Sequence, residues 1–568
     1  MKKYREITPL SLIVGVLVGV ILVTSITYSG LKIGFTIVGS TIAAITGWGV
    51  LRGIFRKGTI VENNITQTVA SSLNVASAGV IFTVPVLFLR GTEFNFVTMT
   101  LACIAGSSLG FFFIIPLRKQ MIDLERLRFP SGMAVATILK SPGAGMQKLV
   151  LLGAGVLISA VFTITILLLK HYKVIASDSV DFNKILTFIP PSFTNVWALT
   201  LLSVGAGYLS GRAGFLVLVG GILSYWIVTP IAIELQWITH PNGLVGQLKP
   251  DQVAELLKHA HEAITRPMGI GMLVGGAIMG IIISLPAIRA AFRSLMRSKL
   301  AASSEEMPFK FVGYGIALSF AVLTLTALLT SDISIFRALL IAAVGTVWLG
   351  LAGVVISQCT GMTDWSPISG IAMMGVAIVL FLSQKNIVLS VMIGAAICMA
   401  LSQCADIMQD LKTGFVVGAK PIRQQAVQLA ATWIGPIISI SVVYLLTRNV
   451  SIGSDELPAP QAQALNATIS AIVGGEIPMA KYVGGLIIGG ALSCFGVPGL
   501  GVLVGLSMYL PMKYILPYGI GCVINMIVIR IKGSKWAEEK GLPIAAGFIV
   551  GEALVQVIDS MIKVFRNS

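Results

Sequence analysis

Apolar runs of about 20 residues, the length that spans the hydrocarbon core of a bilayer, alternate with short polar turns along almost the whole chain. Runs at 10–27, 34–51, 65–89 and 94–117 are read as four successive spans. The turns after the second and fourth carry Arg52, Arg56, Lys57 and Arg118, Lys119, Arg126, Arg128. Those after the first and third carry only Lys32 and Arg90 as basic residues. Basic residues accumulate in cytoplasmic loops, so the N-terminus is expected in the cytoplasm. The first run follows Met1-Lys2-Lys3 but has no clear small-residue cleavage site. It is read as a span rather than a removable leader.

The pattern breaks at Phe129-Pro130-Ser131-Gly132. The apolar stretch 133–139 is too short to cross and ends at Lys140-Ser141-Pro142-Gly143. Two readings stand. One is a half-helix set back into the protein, with Ser131 and free backbone N–H groups at its start forming an anion site. The other is a helix lying on the cytoplasmic interface. Spans resume at 149–169, 196–211 and 213–233, with an outer loop at 178–195. Residues 240–266 form a polar insertion holding His240, His259 and His261. A solvated amphipathic helix is expected there, with an external metal-binding loop as the alternative.

A span at 267–288 leads to a basic loop at 289–310, near the chain midpoint. That loop is the expected cytoplasmic link between a first transmembrane half, 1–288, and a second, 311–568. Further spans are read at 311–331, 338–356 and 424–447, and apolar stretches, several shorter than a full crossing, follow at 370–384, 386–404, 457–475, 482–494, 498–512, 514–529 and 543–557. The expected fold class is all-α: a polytopic transmembrane helical bundle of about 14–16 membrane elements, in two repeated halves with broken or re-entrant helices. The repeat shows in residues 211–220 and 496–505, which match at six of ten positions at an offset of 285. Duplicated halves are the usual build of secondary transporters.

Composition narrows the class. The 568 residues are 55% hydrophobic and 11% charged, with a mean hydropathy of +0.91. Soluble domains carry about 25% charged residues. Sixty glycines and 23 prolines are tolerated in membrane helices. The net charge of +16 sits in short loops between apolar runs, so it reads as topology rather than as a nucleic-acid surface. Six scattered cysteines form no CxxC pair, and a disulfide or metal role is not expected of them. There is no HExxH, GxSxG or Walker motif, which argues against an intramembrane enzyme and an ATP-driven pump. No cofactor is expected.

The candidate chemistry lies where polar residues enter apolar runs. Glu62-Asn63-Asn64-Ile65-Thr66-Gln67-Thr68 opens a span with a carboxylate, three carboxamides and two hydroxyls. Polar groups this dense are either buried in protein or face a wet cavity. Asn63, Asn64 and Gln67 suit a peptide backbone or chelator carboxylates, or else helix–helix hydrogen bonds. Proton coupling needs a group that changes charge inside the membrane. Glu62, Asp364, Asp406, Asp410, Glu476 and Glu552 qualify by position. Glu476 lies in a Gly-Gly-Glu-Ile-Pro break, either where unwound backbone reaches a ligand or in an interfacial loop. Asp406 and Asp410 share a helix face, as a coupling pair or as a cytoplasmic cluster neutralised by Lys412. Glu62 either couples or caps its helix. Lys32, one turn after Tyr28, either snorkels or attracts a substrate carboxylate. A bare-metal substrate would require a Cys/His/Asp cluster within the spans, at which only Cys359, Asp364, Cys404 and Asp406 hint.

Several stretches together resemble the oligopeptide transporter family, specifically its prokaryotic branch, related to the yellow-stripe-like metal-chelate carriers. They are Tyr28-Ser29-Gly30-Leu31-Lys32, the 62–68 stretch, Leu127-Arg128-Phe129-Pro130-Ser131-Gly132, Asp406 through Gly414, Gly475-Glu476-Ile477-Pro478, and 541–553. The chain departs from the family pattern at Asp364-Trp365, before Ser366 and the Pro-x-Ser-Gly element that contains Ser369. The resemblance implies secondary active transport: proton-coupled symport of small oligopeptides or peptide-like metal chelates, with a passive pore as the alternative. Substrate-binding candidates are then Tyr28, Lys32, Asn63, Asn64, Gln67, Ser131, Ser366 and Ser369. Proton-coupling candidates are Glu476, Asp406, Asp410 and Glu62, and no resident metal is expected. The expected partners are a small-molecule substrate, a coupling cation (the proton) and the lipid bilayer, without nucleic acid. A homodimer is a candidate assembly, and the inner (plasma) membrane of a prokaryote is the expected location.

Overall fold

A computed structural model of the chain describes residues 5–34, 39–140, 145–175, 177–182, 193, 195–235, 256–257, 259–283, 286, 289, 306–363, 366, 368–474, 478–495 and 500–567. The main helices, in chain order, are α1 (Pro9–Ile33), α2 (Gly39–Trp48), α3 (Ile60–Asn74), α4 (Ala76–Thr83), α5 (Pro85–Leu89), α6 (Phe96–Ile114), α7 (Pro130–Leu139), α8 (Gly145–His171), α9 (Leu201–Ile222), α10 (Thr229–Glu234) and α11 (Arg266–Ile283). They continue with α12 (Phe309–Thr330), α13 (Ile335–Thr363), α14 (Ile368–Leu382), α15 (Ile387–Val417), α16 (Pro421–Thr432), α17 (Ile434–Thr447), α18 (Pro460–Val473), α19 (Met479–Ser493), α20 (Leu500–Tyr509), α21 (Met512–Lys532) and α22 (Leu542–Asn567).

Among the described residues, 12 helical segments are long and apolar enough to cross a membrane, and four apolar helices are shorter. The all-α polytopic bundle expected from the sequence is therefore observed. It has one addition, a two-stranded antiparallel sheet of Ser179–Asp181 paired with Val196–Ala198. Several element boundaries also differ, three of them near polar residues of interest. The expected span at 34–51 contains only the ten-residue α2, followed by a π-helical turn, Gly49–Ile54. The stretches at 338–356 and 386–404 run on as α13 and α15, to Thr363 and Val417. Their polar residues do not end the helices, because the side chains find partners inside the protein. Ser357 Oγ, for example, donates to the Cys404 carbonyl at 3.0 Å.

The chain divides into two compact units, each drawing on both halves of the sequence. Unit 1 comprises 1–150, 281–474 and 557–568; unit 2 comprises 151–280 and 475–556. Residues 290–305, most of the expected linker, lie outside the described residues.

Unit 1 is built around α15, which runs parallel to α6 and antiparallel to α3. The parallel contact is a small-residue seam. A Cβ on Gly106 or Gly110 would fall on the carbonyl of Ala396 or Ala400. Such seams let backbones approach where lipid offers no hydrophobic drive for helix association. The short α7 is set against α15 and α2. Phe129 enters it at φ 46, fully buried, with its N–H on the Gly361 carbonyl at 3.0 Å. Thr413 Oγ1 donates to the Gly132 carbonyl at 2.8 Å, and Trp48 Nε1 donates to the Leu139 carbonyl at 3.1 Å. These bonds hold α7 inside the protein on one face, while Met133, Ala134 and Thr137 stay exposed on the other. A Cβ at Gly132 would fall on the Gln409 carbonyl. Gly132→Ala is therefore expected to lower the thermal unfolding midpoint in detergent, at a cost of about 1–3 kcal/mol. An unchanged midpoint would mean that α7 does not stay seated on α15.

Unit 2 uses the same device with reciprocal pairs. Gly271 and Gly275 on α11 abut the carbonyls of Tyr482 and Leu486, and Gly485 and Gly489 on α19 abut those of Met268 and Met272. Both copies of the glycine-rich repeat fall in this unit, with 496–499 outside the described residues. In the first copy Gly211 breaks α9 at φ 53, a conformation that favours glycine.

Candidate functional site

In unit 1 the three polar stretches singled out in the sequence come together. The Thr59 hydroxyl accepts from the Glu62 N–H at 3.2 Å, and Glu62 Oε2 accepts from the Thr59 N–H at 2.7 Å. This capping box starts α3 and occupies one oxygen of Glu62 with its own helix end. Past it, Asn63, Asn64, Gln67 and Thr68 are fully buried. Opposite them α15 presents Asp410, 1% exposed, and Asp406, half-buried and one turn earlier. Gln67 Nε2 donates to Asp410 Oδ1 at 2.5 Å, and Ser71 Oγ donates to Asp406 Oδ1 at 2.7 Å. Because the Ser71 proton points at the carboxylate, the 2.7 Å bond between Ser40 and Ser71 runs from Ser40. α16 closes the cluster. Gln424 Nε2 donates to Thr68 Oγ1 at 2.8 Å and to the Asp410 carbonyl at 2.7 Å, and Gln428 lies beside the Asp410 carboxylate with its Nε2 3.5 Å from the Ile407 carbonyl.

The cluster is short of donors. Buried Asp406 Oδ2, Asp410 Oδ2, Gln67 Oε1, Gln428 Oε1, Gln403 Oε1 and Asn64 Oδ1 accept no hydrogen bond from the described residues. Nor does any lysine or arginine among those residues form a salt bridge with Asp406 or Asp410. Lys412 is buried nearby, but its Nζ lies over the Phe415 ring at 5.6 Å. A buried carboxylate without a counter-charge costs several kcal/mol, roughly. The pair is thus set to receive positive charge.

The remaining sequence candidates lie elsewhere. Lys32, 5% exposed, donates to the Tyr28 hydroxyl at 3.4 Å in the last turn of α1, so it does not reach out to an interface. Ser131 is half-buried in the first turn of α7, and Asn63 Nδ2 donates to the Ala44 carbonyl at 3.1 Å. Ser366 Oγ is hydrogen-bonded to Thr360 Oγ1. Ser369 lines a small pocket with Thr83, Met373 and Gln461, and Gln461 Nε2 donates to the Gly34 carbonyl at 3.2 Å. Arg90, just past α5, donates to Asn466 Oδ1 at 2.6 Å, and its burial lowers the guanidinium pKa from its ordinary value. Glu476 and Asp364 lie outside the described residues. In unit 2, Glu552 accepts from Thr200 Oγ1 at 2.7 Å and from the Leu202 N–H at 2.9 Å, at the start of α9. That is how a carboxylate stabilises a helix N-terminus. His240 lies outside the described residues. His261 is engaged at both ring nitrogens, with the Tyr225 hydroxyl at 3.1 Å and Thr265 Oγ1 at 2.7 Å. No group of three or more metal-ligating side chains occurs among the described residues.

Ser40, Ser71, Gln403, Gln424 and Gln428 were not anticipated. A signal for the last two existed: Gln424, Gln425 and Gln428 recur at helical spacing in a segment otherwise suited to membrane.

Comparison with known proteins places this geometry in context. A family model described as OPT oligopeptide transporter protein matches residues 6–563. A candidate oligopeptide transporter of Haemophilus influenzae is 27% identical, over 94% of this chain and 91% of its own. A candidate metal-nicotianamine transporter of Oryza sativa is 23% identical, over 94% of this chain and 80% of its own. One of Arabidopsis thaliana is 23% identical, over 81% and 73%.

Proposed function

The chain belongs to the oligopeptide transporter family, a family of membrane transporters rather than enzymes, and on that footing we propose that it is a secondary active carrier. It couples inward proton movement to uptake of small oligopeptides or peptide-like metal chelates. The relatives named for oligopeptides and for metal-nicotianamine support this substrate range. The bacterial relative supports a prokaryotic inner membrane as the location. The basic turns after the second and fourth apolar runs are the ground for an N-terminus in the cytoplasm. One observation carries the coupling: Asp406 and Asp410 sit within a membrane-spanning helix without a salt-bridge partner among the described residues. A cation entering the pair removes an electrostatic cost that the ionised pair bears without it. The two states of the site therefore differ in free energy, as a coupling ion requires. Asn63, Asn64 and Gln67 face substrate in this reading, together with Tyr28, Lys32, Ser131, Ser366 and Ser369. Glu476 is a further coupling carboxylate.

Uptake into proteoliposomes tests the reading. Labelled di- to tetrapeptides and iron or nickel chelates are offered with and without an inward proton gradient. Accumulation above the external concentration is expected only with the gradient. Flux that merely equilibrates, indifferent to the gradient, would make the protein a passive pore.

A further inference from the structure

We propose that Gln67, Asp406, Asp410 and Gln428 form an oxygen-lined site for a monovalent metal cation of the sodium class. The inference rests on the reading that this cluster receives the coupling ion, and it addresses which ions the cluster accepts.

The first argument is a count of acceptors. Asp406 Oδ2, Asp410 Oδ2, Gln67 Oε1 and Gln428 Oε1 are buried side-chain oxygens that accept no hydrogen bond from the described residues. A proton placed on one carboxylate makes one O–H, which serves one acceptor. It leaves two of the four unsatisfied. A metal cation has no donor direction and coordinates every oxygen within reach. A water molecule brings donors but no charge, so it leaves the carboxylates uncompensated.

The second argument is the fixed orientation of the amides. The Gln67 nitrogen donates to Asp410 Oδ1 at 2.5 Å. Turning that amide over would set its oxygen against a carboxylate oxygen. The Gln67 oxygen is thereby held as a free acceptor beside the pair. Gln428, fully buried beside Asp410, turns its nitrogen to the Ile407 carbonyl at 3.5 Å, which leaves its oxygen as the acceptor.

The third argument is donor type. The set is all oxygen, with no thiolate or imidazole, which selects hard cations over transition metals. Mg²⁺ retains several waters in a near-ideal octahedron, and Ca²⁺ takes six to eight oxygens, roughly. Four oxygens packed between helices, two from carboxylates and two from neutral carboxamides, fit a smaller demand, and with one proton held between the two carboxylates a single positive charge neutralises the site. A monovalent ion is also held weakly enough to leave again in a transport cycle.

The test uses the full-length protein in detergent. Binding of radiolabelled sodium is measured in choline chloride, and thermal unfolding midpoints are compared in sodium, potassium, magnesium, calcium and choline chlorides at equal ionic strength and pH. Saturable sodium binding and a midpoint several degrees higher in sodium than in choline are expected, because a ligand of the native state stabilises it. Asp410→Asn is expected to abolish both effects, and Gln428→Leu to weaken sodium binding about tenfold by removing one ligand. Asp559→Asn, in a partly exposed pair with Lys563, should leave both unchanged. Equal wild-type midpoints in sodium and choline, with no saturable binding, would overturn the proposal without recourse to any variant. A stabilisation specific to calcium or magnesium would overturn it too. If sodium fails to bind while proton-driven uptake still depends on Asp410, only this inference falls. If uptake is indifferent to Asp410, the coupling reading falls with it.

Discussion

Asp410→Asn is expected to lower gradient-driven uptake in proteoliposomes about 100-fold, or about 2.7 kcal/mol at about 1.36 kcal/mol per decade, without unfolding the protein. Asparagine has nearly the shape of aspartate and keeps an oxygen for Gln67 Nε2, now 2.5 Å from Asp410 Oδ1. It removes the charge that draws a cation and supplies N–H donors to a cluster whose unsatisfied atoms are mostly oxygens. Removing an uncompensated buried charge is neutral or stabilising where the remaining groups are better paired. The variant should therefore run as a single gel-filtration peak, with a thermal midpoint equal to or above that of the wild type. Loss of uptake together with loss of the peak would mark Asp410 as a folding residue. Full uptake with an intact peak would remove the pair from coupling altogether.

Gly106→Ala should have the largest effect on stability. A Cβ there lands on the Ala396 carbonyl oxygen and within 2.5 Å of its Cα and 2.6 Å of its carbonyl carbon. The obstacle is the backbone of α15, not the end of a flexible side chain, so α6 and α15 have to separate. Overpacking costs about 1–3 kcal/mol where side chains can yield, and more is expected here. Since α15 also carries Asp406 and Asp410, displacement should disturb the polar cluster along with the fold. Gly153→Ala is the matched control. Gly153 lies in α8 with nothing within 4 Å of the position its methyl would take, so alanine should be tolerated or slightly stabilising, by about 0.5–1 kcal/mol. Thermal midpoints of the two variants in the same detergent decide the matter. Equal midpoints would mean that the seam between α6 and α15 is not tight.

Much of the fold was legible because membrane burial imposes a local rule. A run of apolar residues has to be a helix long enough to cross, and each run can be recognised without knowing its neighbours. The boundaries that failed were those where polar residues lie inside a helix. Ser357 and Asp406 read as ends of spans, but Ser357 donates to the Cys404 carbonyl and one oxygen of Asp406 accepts from Ser71, residues distant in sequence. Glu62 and Glu552 had the same composition-level signature as Asp410. Contacts separate them, since Glu62 closes a capping box and Glu552 meets the start of α9, whereas Asp410 keeps an oxygen without a partner among the described residues.

The sequence by itself determined that this is an all-helical, multi-pass membrane transporter, and it marked the 62–68, 129–132 and 406–414 stretches as polar intrusions. Spacing along one helix also put Asp406 and Asp410 on a common face. Only the tertiary structure decided that Gln67 meets Asp410 across 343 residues of chain, that Gln424 and Gln428 join them, and that the pair forms no salt bridge among the described residues. The reason is physical. Helix formation and bilayer partition depend on residues within a turn or two, so they are written locally. Whether a buried polar atom is satisfied depends on which distant helix packs against it, and that is settled by glycine seams such as Gly106 on Ala396.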